Sequence, residues 1–237
     1  MNQVTITVPV YLPSWFYRML RLVKHKLKPP RADTACSMNL LGDRDIEWSW
    51  VASQMPSGQG EALDFGPGGS NLGLLAAQRG FNVTSVDLEP VHWHYVHPRL
   101  KFVQGDILKV SLPPEHFDLV INCSTVEHVG LSGRYGVKED RPNGDIDAMT
   151  RLRALMKPGS VMLLTIPVGQ DAVFAPLHRV YGVERLPKLL DRYVIKREDY
   201  WIKDKQNQWV RVDRNVALSR QPRRDLYGLG CFVLELK

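Results

Sequence analysis

His128 and His178 are the side chains of this sequence best suited to move a proton near neutral pH, because imidazole alone titrates there without help from its surroundings. His128 follows Glu127 shortly after the segment His116-Phe-Asp-Leu-Val-Ile-Asn122, and the Glu127 carboxylate could orient the ring or cap a following helix. His178 opens His178-Arg-Val-Tyr-Gly182, where Arg179 and Tyr181 add a guanidinium fork and a phenol. Arg134 beside Tyr135 makes a similar pair, fit to grip a phosphate, a carboxylate or a sugar. The three acids Asp64, Asp87 and Asp106 each stand at or next to the end of a short, largely apolar segment, where a ligand could be met.

The segment Glu61-Ala-Leu-Asp-Phe-Gly-Pro-Gly-Gly-Ser70 and, after a short helical stretch, Asn82-Val-Thr-Ser-Val-Asp87 form one half of a nucleotide-binding α/β fold. In the dinucleotide fingerprint a third glycine allows close packing while a pyrophosphate rests on a helix N-terminus. The register here is Gly66, Gly68 and then Asn71, without that glycine. Asp64 also stands two residues before Gly66, a poor position beside a pyrophosphate and a good one beside an ammonium and a sulfonium. Asp87 lies about 20 residues on, where two carboxylate oxygens can accept both ribose hydroxyls. These features favour S-adenosylmethionine over a nicotinamide dinucleotide.

From about residue 58 to the C-terminus the chain resembles the class I S-adenosylmethionine-dependent methyltransferases. Glu61 to Ser70 is similar to their first motif and Ser85-Val-Asp87 to the second. Gln104-Gly-Asp-Ile107 resembles the segment that meets the adenine, His116 to Asn122 the fourth strand, and Leu155-Met-Lys-Pro-Gly159 the turn before strand five. The resemblance implies a cofactor set of Asp64, Gly66, Gly68, Asp87, Leu88, Asp106, Ile107 and Asn122. It implies a catalytic set drawn from His128, His178 and Glu127, and substrate contacts from Arg134, Tyr135, Arg179 and Tyr181. A narrower resemblance, carried by Glu127-His-Val-Gly-Leu-Ser-Gly-Arg-Tyr-Gly136, Asn143-Gly-Asp-Ile-Asp-Ala148 and His178 to Gly182, is to an uncharacterised methyltransferase-like family of bacteria and nematodes. Ser132 departs from that pattern.

The elements that must position these residues alternate: strand 61 to 65, helix 70 to 79, strands 82 to 87, 101 to 104 and 118 to 124, helix 144 to 156, strand 160 to 166. Such alternation predicts a mostly parallel sheet with helices on both faces. Strands near Tyr193 to Ile202 and Cys231 to Leu236 should pair antiparallel at one edge, giving a Rossmann-like, seven-stranded α/β sheet with an antiparallel edge strand. Residues 1 to 57 are expected to form a helical extension or lid, and 58 to 237 the methyltransferase domain. Within the extension, residues 14 to 28 are bounded by prolines and predict an amphipathic helix. Its basic face could cover the site or lie on an anionic membrane.

A chain of 237 residues, 44% apolar, can bury one core of ordinary size. The 31 Lys and Arg against 25 Asp and Glu, net +6, suit an anionic partner only weakly. Cys36, Cys123 and Cys231 are odd in number and widely spaced, which predicts a reducing compartment and no structural zinc site. His92, His94 and His97 lack an acidic partner at ligand spacing, so no metal is expected. The absence of an 18-residue apolar stretch predicts a cytoplasmic protein, peripheral to the membrane at most. After strand four the chain reads Asn122-Cys-Ser-Thr125, without the Asn/Asp-Pro-Pro-aromatic run of amino-methyltransferases of nucleic acids and glutamine. A small-molecule or glycan acceptor, methylated on oxygen, is therefore expected rather than nucleic acid. The alternatives are a non-catalytic cofactor binder docking through residues 14 to 28, and nicotinamide chemistry, which Tyr135 and Lys138, three apart, do not support.

Overall fold

The computed structural model describes residues 43 to 236. The expected helix over 14 to 28 lies outside the described residues. The first element is helix α1 (Arg44–Gln54), followed by β1 (Gly60–Phe65), α2 (Leu72–Gln78), β2 (Phe81–Asp87), β3 (Leu100–Gln104) and β4 (Phe117–Cys123). A single 3-10 turn (Val126–His128) precedes α3 (Gly144–Leu155) and the long β5 (Met156–Val168). Then come β6 (Ala172–Phe174), β7 (His178–Val180), α4 (Arg185–Leu189), β8 (Tyr193–Lys203), β9 (Trp209–Val212), α5 (Arg214–Ser219) and β10 (Gly228–Leu236).

The main sheet runs β3-β2-β1-β4-β5-β10-β8-β9. Pairing from β3 through β5 is parallel, and β10 is antiparallel to both β5 and β8, which pairs the two C-terminal strands as the sequence predicts. Among the described residues the sheet has eight strands rather than seven, because the chain after β8 turns back as β9 and adds an outer antiparallel strand. The reversed strand β10 is internal, because β5 pairs on one side of it and β8 on the other.

Strand alternation sends side chains to two separate apolar layers. Leu63, Phe65, Val120, Met162, Leu164 and Phe232 pack with Met149, Leu152 and Leu155 of α3. Ala62, Leu119, Ile121, Leu163 and Cys231 pack with Trp50 and Val51 of α1 and with Ala76 and Ala77 of α2. A sheet covered on both faces has short, nearly continuous apolar strands, as β1 and β4 do. Helix α1, assigned to the extension by the sequence, thus packs on the sheet itself. Trp50 Nε1 donates to Asp199 Oδ2 of β8 at 2.8 Å, and Tyr227 donates to Asp43 at 2.8 Å. Among the described residues no helix is long and apolar enough to cross a membrane.

Candidate active site

The parallel strands all end on one side, and there a cavity of about 490 Å³ opens above the turn after β1. Gly66 has φ +67°, and a Cβ there would stand 2.0 Å from Thr125 Cγ2, so only glycine lets the turn lie against the β4 end. Over Gly68 and Gly69 an added Cβ would meet nothing within 4 Å, leaving the backbone open to the cavity. Asp87, at the end of β2, faces the same space; its Oδ2 accepts from Gly68 N at 3.2 Å and its Oδ1 from Glu89 N at 3.1 Å. Those amides fix the carboxylate on the cavity wall, and each oxygen keeps further lone-pair capacity, which a ribose diol requires. Leu88, Asp106 and Ile107 complete this wall, with Asp106 Oδ1 held by Leu108 N at 3.0 Å.

Two expected cofactor residues stand behind the wall. Asp64 is 2% exposed and lies beneath the first turn of α2, its Oδ2 accepting from Ser85 Oγ at 3.3 Å. Desolvation raises its pKa to about 7, so it supports the turn and is not a surface charge for the ligand. The close approach that GxGxxG assigns to a third glycine is made by Gly73, where a Cβ would sit 2.5 Å from Asp64 Oδ2. Asn122 is fully buried, with its amide nitrogen 3.6 Å from Met149 Sδ.

His128 lines the same cavity as the glycine turn. Its Nδ1 bonds to the Leu177 carbonyl, which can only accept, so Nδ1 carries the hydrogen and Nε2 keeps the lone pair. Burial, with smaller contributions from Arg134, His178 and Arg44, lowers its pKa to about 4. Glu127 is 2% exposed beneath it, Oε1 lying 3.7 Å from His128 Nε2. Desolvation raises Glu127 to about 8, so at neutral pH the pair is a neutral acid beside a neutral imidazole and not an ion pair.

His178, Arg179 and Tyr181, expected to reach the substrate, do not line the cavity. His178 is buried between Phe174 and Tyr227, ring centroids 5.6 and 4.9 Å away. Tyr181 is fully buried behind β5. Arg179, 1% exposed, donates to the carbonyls of Glu127, Val129, Arg141 and Pro142 and lies 3.7 Å from Asp145. Asp145 in turn holds Arg185 through both oxygens. The three sequence segments that look like one motif are therefore a clasp around Arg179 that shapes the loop 127 to 142, a wall of the site. Tyr135 does line the cavity, its ring 5.4 Å from that of His128, and Arg134 lies over Tyr135 at 4.4 Å.

Sequence reasoning missed the contribution of α1. Arg44 and Trp48 project into the cavity, and Glu47, fully buried, receives Ser124 Oγ and Thr165 Oγ1, the latter at 2.9 Å. The i,i+3 pair Arg44 and Glu47 was visible as helical spacing, but the depth of the glutamate was not. Among the described residues no group of three or more His, Cys, Asp or Glu could hold a metal ion.

Residues 62–137 match the profile of a family described as "Methyltransferase domain". Residues 109–206 match another, "Caenorhabditis protein of unknown function, DUF268". No curated protein matches the sequence. Among solved structures, the chain is similar to a Burkholderia thailandensis 1,6-didemethyltoxoflavin-N1-methyltransferase with bound 1,6-didemethyltoxoflavin and S-adenosylhomocysteine (15% identity, 98% and 94% of the two chains, TM-score 0.55). It is also similar to the N-methyltransferase NodS from Bradyrhizobium japonicum with S-adenosylhomocysteine (13%, 91% and 97%, TM-score 0.51). A third, the [4+2]-cyclase SpnF (14%, 79% and 78%, TM-score 0.55), has the same fold with a different reaction in its name. At such identities the likeness is one of fold, and the chemistry must be argued from the site.

Proposed function

We propose that the chain is a class I S-adenosylmethionine-dependent methyltransferase that methylates an oxygen of a small-molecule or sugar acceptor, with His128 as the base; a match to a methyltransferase-domain family and the shared fold support this. The observation that carries this reading is that His128 and the glycine turn with Asp87 face one cavity.

S-adenosylmethionine fits the residues present: open backbone at Gly68 and Gly69, a carboxylate with lone-pair capacity left on both oxygens at Asp87, and a second acid, Asp106, beyond it. When bound there, it supplies both the electrophilic methyl and the leaving group. What the chain must add is alignment of the nucleophile and removal of its proton. His128 Nε2 accepts that proton, Leu177 holds the ring in the productive tautomer, and the Trp48 and Tyr135 rings exclude water from one side. A nitrogen acceptor is the second reading, since N-methyltransferases share the fold. The same lone pair would take a proton from an ammonium.

Calorimetry with S-adenosylmethionine, S-adenosylhomocysteine and NAD is expected to detect the first two and not the third; no binding of either sulfur ligand would sink the reading. With an acceptor in hand, His128→Ala should lose ~10²–10⁴-fold in kcat while cofactor affinity holds. Full turnover by that variant would remove His128 from the chemistry.

A further inference from the structure

One cation on the cavity wall, Arg44, is fixed in place by a buried partner. Arg44 Nη1 donates to Glu47 Oε2 at 2.7 Å, and half of the arginine side chain stays exposed. Glu47 is braced by Ser124 just past the end of β4 and by Thr165 on β5, so a buried carboxylate anchors the guanidinium at the edge where ligands bind. The remaining donors of Arg44 have no partner among the described residues. Arg134 does not line the cavity; it is exposed and stacked over Tyr135, which does line it and is in edge contact with His128.

The charges around His128 do not balance. The charges of Arg44 and Arg134 both act on it, whereas Glu47 is already paired and Glu127 is buried in its neutral form. Asp87 and Asp106 are committed to the cofactor end, and Glu139 on the rim is offset by Lys138 and Arg141. A guanidinium on the cavity wall, Arg44, and a second stacked on the lining ring of Tyr135 match the paired oxygens of a carboxylate or a phosphate.

Resting on the methyltransferase reading above, we infer that the acceptor carries an oxyanion, a carboxylate or a phosphate, which Arg44 and Arg134 hold beside His128. The oxyanion is the anchor and a neighbouring hydroxyl the nucleophile. Its charge opposes the two arginines that burden the imidazole, and so makes His128 a better base once the acceptor is seated. A neutral acceptor gains none of this.

The experiment uses the full chain saturated with S-adenosylhomocysteine and titrated with inorganic phosphate, D-glucuronate and D-glucose, read by calorimetry and by the His128 ring resonances. Saturable binding of at least one anion, none of glucose, and an upward shift of the His128 titration are expected. Arg44→Gln and Arg134→Gln should each weaken anion binding about tenfold or more, the loss of one charge-assisted hydrogen bond. S-adenosylhomocysteine affinity should change less than about twofold, because neither arginine touches that end. The preferred anion tells carboxylate from phosphate. If neither anion binds, or if both variants bind them as tightly as the parent, the oxyanion inference falls while the cofactor reading stands. Failure of the parent to bind S-adenosylhomocysteine overturns the cofactor reading itself. Should Arg44→Gln unfold because Glu47 loses its partner, the exposed Arg134→Gln decides alone.

Discussion

Glu127 and His128 are adjacent, and the fold opposes the charged form of each, with opposite consequences for stability. Glu127 has a folded pKa of about 8 against an ordinary 4.5, so between those values the folded chain keeps a proton that the unfolded chain has released. Stability therefore falls as pH rises through that window, by at most about 1.4 kcal/mol per pH unit for one group. Asp64, raised to about 7, acts in the same direction. His128 acts in the other: its folded pKa of about 4 lies below 6.5, so stability falls as pH drops from 6.5 toward 4. Glu127→Gln should flatten the alkaline decline and raise the thermal midpoint near pH 8; a midpoint profile parallel to the parent's would show that Glu127 ionises freely. His128 was legible as a candidate base from its place after the fourth strand. The tautomer its ring adopts was not, because the Leu177 carbonyl arrives from 49 residues away.

Among the elements, α2 sits on β1 through the contact of Gly73 with Asp64, closer than any Cβ permits. Gly73→Ala should cost roughly 1–3 kcal/mol by overpacking, lowering the thermal midpoint by about 2–4 °C per kcal/mol in a chain of this size. An unchanged midpoint would mean that the helix can slide outward freely. The glycine register pointed to a missing third glycine, and the packing supplies one two residues later, a shift that linear spacing cannot reveal. The clasp around Arg179 teaches a related lesson. The resemblance to the narrower family grouped Glu127 to Gly136, Asn143 to Ala148 and His178 to Gly182, which the structure brings together, but a guanidinium serves buried carbonyls as well as it serves a substrate. Only burial separates those roles, and Arg179 is buried while Arg134 is exposed.

For the whole molecule, ligand binding and folding are linked, since the cavity walls come from α1, the strand ends and the loop 127 to 142 together. S-adenosylhomocysteine at a hundred times its Kd should stabilise the folded chain by about 2.7 kcal/mol, visible as a rise in thermal midpoint of several degrees. NAD at the same concentration should leave the midpoint where it was, and an equal rise with both would argue against a selective cradle. The sequence by itself determined the α/β order, the parallel strands with their antiparallel partner, and the cavity wall of Gly66, Gly68, Asp87 and Asp106. Those depend on local periodicity and on residues close together along the chain. Tertiary structure alone decided that α1 packs on the sheet, that Arg44 faces the cavity, that Asp64 and Arg179 are supports rather than contacts, and that His178 is walled off. Each of those outcomes depends on desolvation, and the burial of a side chain is a property of everything that packs around it.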